Sequence, residues 1–161
     1  MSDSTTTLSP EICAKIDAWV KRYPAGQQRS GVFEALRLVQ EAHQYLTVPL
    51  MDAVAAHLAM PPIAVYEIAT FYTMFHTKPV GQHVINVCTN ISCALNKASQ
   101  IVEHLKKRLQ IDWNETTPDG KWTLKEVECL GACVSAPVCQ IDKTYHVALT
   151  PEKVDEILDS Q

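Results

Sequence analysis

Cys88-Thr-Asn-Ile-Ser-Cys93 and Cys129-Leu-Gly-Ala-Cys133 hold four of the chain's six cysteines, with 35 residues between Cys93 and Cys129. Directly before the first pair runs His83-Val84-Ile85-Asn86-Val87, a short β-rich segment. Before the second runs Trp122-Thr-Leu-Lys-Glu-Val-Glu128, whose apolar and polar residues alternate as in a half-buried strand. Each pair follows a strand, so both loops are expected at one edge of one sheet. Cys93 also opens a helix, with Ser92 a candidate cap, where free N–H groups and the positive dipole end favour a thiolate. Gly131 would let the second loop approach closely, Ala94 and Ala132 leave room, and Pro137 stiffens the exit.

Working outward, the helix after Cys93 carries Leu95, Ala98, Ile101, Val102, Leu105 and Leu109 on its expected buried side. Lys106, Lys107 and Arg108 in its last turn answer the helix dipole. A polar loop at 114–120 holds a Pro-Asp-Gly turn, and 138–141 with 144–147 reads as a hairpin turning at Asp142-Lys143. Thr150 caps a last helix over 151–158. The fold class is α+β, with residues 79–161 as a β-α-β-β-α domain.

The N-terminal half has a different period. Ser9-Pro10-Glu11 is a helix start, followed by Ile12, Ile16, Trp19 and Val20 on one face. A second helix is expected over about 30–46, a third opens at Pro49, and a fourth restarts at Pro62 and carries Val65, Ile68, Phe71 and Tyr72. Residues 9–78 read as a helical region behind a disordered polar tail, 1–8.

Composition limits the partners. A net charge of −4 over 161 residues argues against nucleic acid, which calls for a basic face. The most apolar stretch, 53–75, is interrupted by His57, Pro61, Pro62 and Glu67, so no direct membrane insertion is expected. The N-terminus shows neither a basic region followed by an apolar run nor an Arg-rich presequence, which leads us to expect a cytoplasmic protein. In that reducing compartment, paired cysteines are more often metal ligands or redox groups than structural disulfides.

Three occupants suit four thiolates. Structural zinc usually uses knuckles with two residues between ligands, whereas the gaps here are four and three residues. Thiol–disulfide chemistry favours Cys-x-x-Cys, which is absent. The wider gaps suit a [2Fe–2S] diamond best, each pair holding one iron. Spacing favours that occupant and leaves the other two open.

Longer stretches carry a family resemblance: residues 60–75 (MPPIAVYEIATFYTMF), 87–93 (VCTNISC), 115–120 (ETTPDG), 128–133 (ECLGAC), Ala136-Pro137 and 150–158 (TPEKVDEIL). From about residue 22 onward the chain resembles the NuoE-type subunit family of NADH:quinone oxidoreductase, respiratory complex I. The resemblance implies a thioredoxin-like ferredoxin domain behind the helical region. It implies one [2Fe–2S] cluster on Cys88, Cys93, Cys129 and Cys133, and no catalytic site of the chain's own. It further implies a flavoprotein partner that binds FMN and NADH, other peripheral-arm subunits, and a place at the inner face of the bacterial membrane. The function implied is one-electron exchange with FMN, from a potential on the order of −400 mV. The same module in an NAD-coupled hydrogenase or formate dehydrogenase, or a zinc-stabilised interaction module, is the alternative.

The remaining candidates read as structure. Cys139 stands where the family usually has an aliphatic residue or methionine, and beside Val138 and Ile141 it reads as core. Cys13 reads as an ordinary helix thiol and His83 as a structural strand residue. The aromatic group Phe71, Tyr72 and Phe75 reads as core or interface packing.

Overall fold

The computed structural model describes residues 8–161. The expected tail lies outside them apart from Leu8, which packs half-buried against the helical core. The chain divides between Pro79 and Val80 into two compact units.

The first unit contains α1 (Pro10–Val20), α2 (Val32–His43), α3 (Val48–His57) and α4 (Pro62–Phe71). The starts of α1, α3 and α4 follow from local chemistry. Ser9 Oγ accepts the Ile12 N–H at 3.3 Å, Thr47 Oγ1 accepts the Leu50 N–H at 3.4 Å, and prolines occupy the first turns of α1, α3 and α4. The second helix is shorter than its apolar spacing suggests, because Gln28–Gly31 forms a 3-10 turn before it and Gln44 ends it with φ 69°. Ile16, Leu36, Val39, Val54 and Val65 are fully buried together, each worth about 1.5–3 kcal/mol. Phe75 joins this core, whereas Phe71 is 77% exposed. Cys13 is half-buried.

The second unit contains β1 (His83–Cys88), α5 (Ile91–Leu95), α6 (Ala98–Leu109), β2 (Trp122–Val127), β3 (Cys139–Ile141), β4 (Thr144–His146) and α7 (Pro151–Asp159). Counted strand by strand, the hairpin contributes two strands, so the unit carries four. The sheet order is β2-β1-β3-β4, with β1 parallel to β2 and antiparallel to β3. Ile85, Leu105, Leu124, Ile141 and Val154 form its core. Just before β1, Gly81 has no room for a side chain, because a Cβ there would stand 2.9 Å from the Lys121 carbonyl oxygen.

The helix after Cys93 is not continuous: Asn96 and Lys97 separate α5 from α6, Lys97 takes φ 67°, and Asn96 Nδ2 donates to the Ser92 carbonyl at 2.7 Å. Leu95 is thereby turned outward, 81% exposed, instead of lying on the buried side. Strand β2 also departs from alternation: Trp122, Thr123 and Leu124 are all buried. Thr123 tolerates burial because its hydroxyl accepts the Gly81 N–H at 2.6 Å and pairs with Thr116 Oγ1 at 2.7 Å.

Other side chains settle into structural partnerships. His83 Nδ1 lies 2.7 Å from Asp142 Oδ2 and packs against Trp122. Lys106 pairs with Asp112 and lies over the Trp113 ring, while Arg108 bridges Asp155 and Asp159. Among the described residues no helix is long and apolar enough to cross a membrane.

Candidate metal centre

Because β1 and β2 are parallel neighbours in register, Cys88 opposite Val127, the loops that leave them emerge at the same end of the sheet. The two loops touch. Cys88 Sγ lies 3.8 Å from the Glu128 carbonyl oxygen, the residue before Cys129. Thr89 Oγ1 donates to Glu126 Oε1 at 2.7 Å across the same gap.

The four thiols divide by burial. Cys88 and Cys93 are 4% and 2% exposed and sit in a small apolar cluster with Ala98 and Val138, flanked by Leu130, Ala132, Ala136 and Val147. Cys129 and Cys133 are exposed. Cys93 shares its buried cluster with Cys88. Cys129 Sγ accepts the Gly131 N–H at 3.3 Å.

Helix α5 starts earlier than expected. Asn90, not Ser92, is the cap, its side chain accepting the Ile91 N–H at 2.7 Å. Cys93 is therefore inside the helix, and its thiol is pushed up, not down. Burial is the largest cause and the hydrogen bond with Cys88 comes next, against an opposing backbone bond from Val138. The Gly131 expectation also changes. Nothing lies within 4 Å of where its Cβ would be, so glycine serves the left-handed φ of 73° instead of close approach. Ala94 is exposed and faces away from the thiols' apolar cluster, whereas Ala132 packs against it.

Cys139 belongs to a different place. It lies on β3, opposite Val87 on β1 and His146 on β4, buried in the core of the sheet. Burial pushes its thiol up to about 12.

The donor set can be tested against its possible occupants. Among the described residues, no three His, Cys, Asp or Glu side chains gather as one metal ion requires. A [2Fe–2S] diamond takes two thiolates per iron, and the two loops present one buried pair and one exposed pair. The bond from Thr89 to Glu126, the Asn90 cap and the bond from the Tyr145 hydroxyl to the Leu130 carbonyl had no mark in the cysteine spacing. Of these, Asn90 could have been recognised, since Asn before Ile-Ser-Cys is an ordinary cap.

Residues 16–161 match the family model described as thioredoxin-like [2Fe-2S] ferredoxin. The chain belongs to that family. It is similar to an NADH-quinone oxidoreductase subunit of Rhizobium meliloti (strain 1021), 43% identical over 91% of this chain and 86% of that one. It is also similar to the corresponding NADH-quinone oxidoreductase subunit of Rickettsia bellii (strain RML369-C), 46% identical over 87% of this chain and 84% of that one. Among solved structures, an air-oxidized NAD+-reducing [NiFe]-hydrogenase shares the fold at a TM-score of 0.67 and 19% identity. That likeness covers 77% of this chain and 22% of the hydrogenase chain, so the fold recurs there as about a fifth of a longer polypeptide.

Proposed function

We propose that Cys88, Cys93, Cys129 and Cys133 ligate one [2Fe–2S] cluster, and that the chain is the electron-transfer subunit of an NADH:quinone oxidoreductase. In this reading it exchanges single electrons with the FMN of an NADH-binding partner subunit. The observation that carries the proposal is the contact between the two cysteine loops at adjacent parallel strand ends, with Cys88 Sγ 3.8 Å from the carbonyl oxygen of Glu128, the residue before Cys129.

When bound, such a cluster supplies a one-electron store whose potential responds to burial and to hydrogen bonds at its sulfurs. The chain's own residues arrange the rest. Cys88 and Cys93 sit against Val138 and Ala98, which keep water from the inner side. Cys129 and Cys133 stand at the surface, where a redox partner can approach. The Gly131 N–H already points at Cys129 Sγ, a bond that favours the more negative state of the sulfur. Nucleotide binding is left to the partner, since the five glycines are scattered singly and make no phosphate loop. The quinone-reductase reading is preferred to a hydrogenase module because identity is 43–46% with the former and 19% with the latter. The subunit would then work in a peripheral arm on the cytoplasmic side of the membrane.

The test is an EPR spectrum of anaerobically purified protein before and after dithionite, with iron and sulfide counted on the same sample. A rhombic signal on reduction, with about two irons and two sulfides per chain, is expected. A silent sample holding one zinc per chain would sink the proposal.

A further inference from the structure

The outer loop lies between β2 and the 3-10 turn Cys133–Ser135, and its two thiols are exposed. A loop of that kind needs anchors if it is to hold ligands in fixed positions. One anchor comes from a distant part of the chain. Tyr145, at the centre of β4, donates its phenol hydroxyl to the Leu130 carbonyl at 3.1 Å, and Leu130 directly follows Cys129. The chain then continues alongside the loop's far end. The Ala148 N–H donates to the Ser135 carbonyl at 2.7 Å and the Leu149 N–H to the Pro137 carbonyl at 3.1 Å. Residues 145–149 thus run as a strap beside the loop, with Tyr145 fixing the Cys129 end and the two backbone bonds fixing the Cys133 end.

The buried pair has no need of such a strap. Cys88 ends a strand hydrogen-bonded to neighbours on both sides, and Cys93 sits in a capped helix. Tyr145 is itself half exposed, on an edge strand, and its ring fills no core position. Its hydroxyl bond is therefore its principal tie to the site.

We infer that Tyr145 is a positioning residue for the outer half of the metal centre, acting through the Leu130 carbonyl to orient Cys129. The inference rests on the four-cysteine reading above. Without the bond the fold persists, but the Cys129 thiolate samples more orientations, which loosens its iron and changes the electronic surroundings of the outer sulfur.

The full-length chain and its Tyr145→Phe variant, both reconstituted with iron and sulfide, test it. Three readings are taken on each: iron release to a ferrous chelator, visible circular dichroism, and the EPR g-values after reduction. Far-UV circular dichroism confirms that the fold is kept. Loss of one hydrogen bond should make iron release about fivefold faster in Tyr145→Phe and alter the visible and EPR line shapes. Thr89→Val serves as a second variant. It removes the hydroxyl bond between the first loop and Glu126 on β2 while leaving the strap intact, and should change the spectra less. Wild-type release rate and unchanged spectra in Tyr145→Phe would overturn the inference while leaving the cluster reading in place. Wild-type protein that fails to take up two irons and two sulfides would overturn the cluster reading itself.

Discussion

Thr89, on the first cysteine loop, bonds directly to Glu126 on β2, hydroxyl to carboxylate at 2.7 Å, although 37 positions separate them. Thr89 follows the last residue of β1 and Glu126 is the penultimate residue of β2, so the bond closes the sheet's end where the parallel ladder stops. It ties the residue after Cys88 to the strand that leads into the second loop.

Thr89→Val should therefore destabilise the second unit by about 0.5–1.5 kcal/mol, the worth of one partly exposed hydrogen bond. Glu126→Gln keeps an acceptor and should cost less. Urea unfolding of the two variants, followed by tryptophan fluorescence of Trp122 and Trp113, checks the order. Equal losses would mean that the carboxylate's charge, not the bond, matters.

Cys129→Ser should leave the helical unit folded and weaken or abolish visible absorption after reconstitution, because a hydroxyl is a poor substitute for a thiolate at iron. Absorption equal to wild type would count against Cys129 as a ligand. Cys139→Ala is the matched control. It should keep the absorption, since Cys139 packs between β1 and β4 in the sheet's core.

Cys139 also sets a pH dependence. Its folded pKa, about 12, lies above the ordinary 9.0, so the fold holds a proton that the unfolded chain releases. The unfolded state then binds fewer protons, and stability falls as pH rises. The contribution is intact below pH 9 and is lost between about pH 9 and 12, at a slope approaching ~1.4 kcal/mol per pH unit. Chemical denaturation at pH 8 and pH 10.5 should show wild type losing more stability than Cys139→Ala. Parallel losses would remove Cys139 as the cause.

Gly81→Ala should cost about 1–3 kcal/mol, because its methyl would press on backbone at 2.9 Å, which cannot give way as a side chain can. Thermal unfolding measures the loss. The cluster's visible spectrum should be unchanged, since Gly81 adjoins the start of β1 while the cysteines lie at its end. A bleached spectrum with an unchanged melting temperature would contradict both halves of that statement.

Much of this was legible in the sequence, and the rest was hidden for definable reasons. The strand-then-cysteine order marks the place of the site because period-two alternation and paired thiols are local signals, readable within a few residues. The prolines at 10, 49 and 62 marked helix starts for the same reason. The break at Asn96-Lys97 was not legible, since Leu95, Ala98 and Ile101 fit a continuous helix and neither break residue is a strong terminator. The burial of Thr123 depends on the Gly81 N–H, 42 positions away, and that of the Cys93 thiol on Val138 and Cys88. The Tyr145–Leu130 bond had no signal at all, because a tyrosine on an edge strand predicts nothing about which carbonyl it meets.

The sheet order has one more consequence. Strand β1 is hydrogen-bonded to β2 on one side and β3 on the other, so opening it requires breaking two ladders at once. Strand β2 ends the sheet: beyond its ladder with β1, residues 114–117 hydrogen-bond to Trp122 and Leu124 at its start, away from the Cys129 end. The backbone that carries Cys88 should therefore exchange its amide protons more slowly than the backbone that leads into Cys129. The two cysteine loops would then keep different clocks, one set by global unfolding and the other by the fraying of an edge.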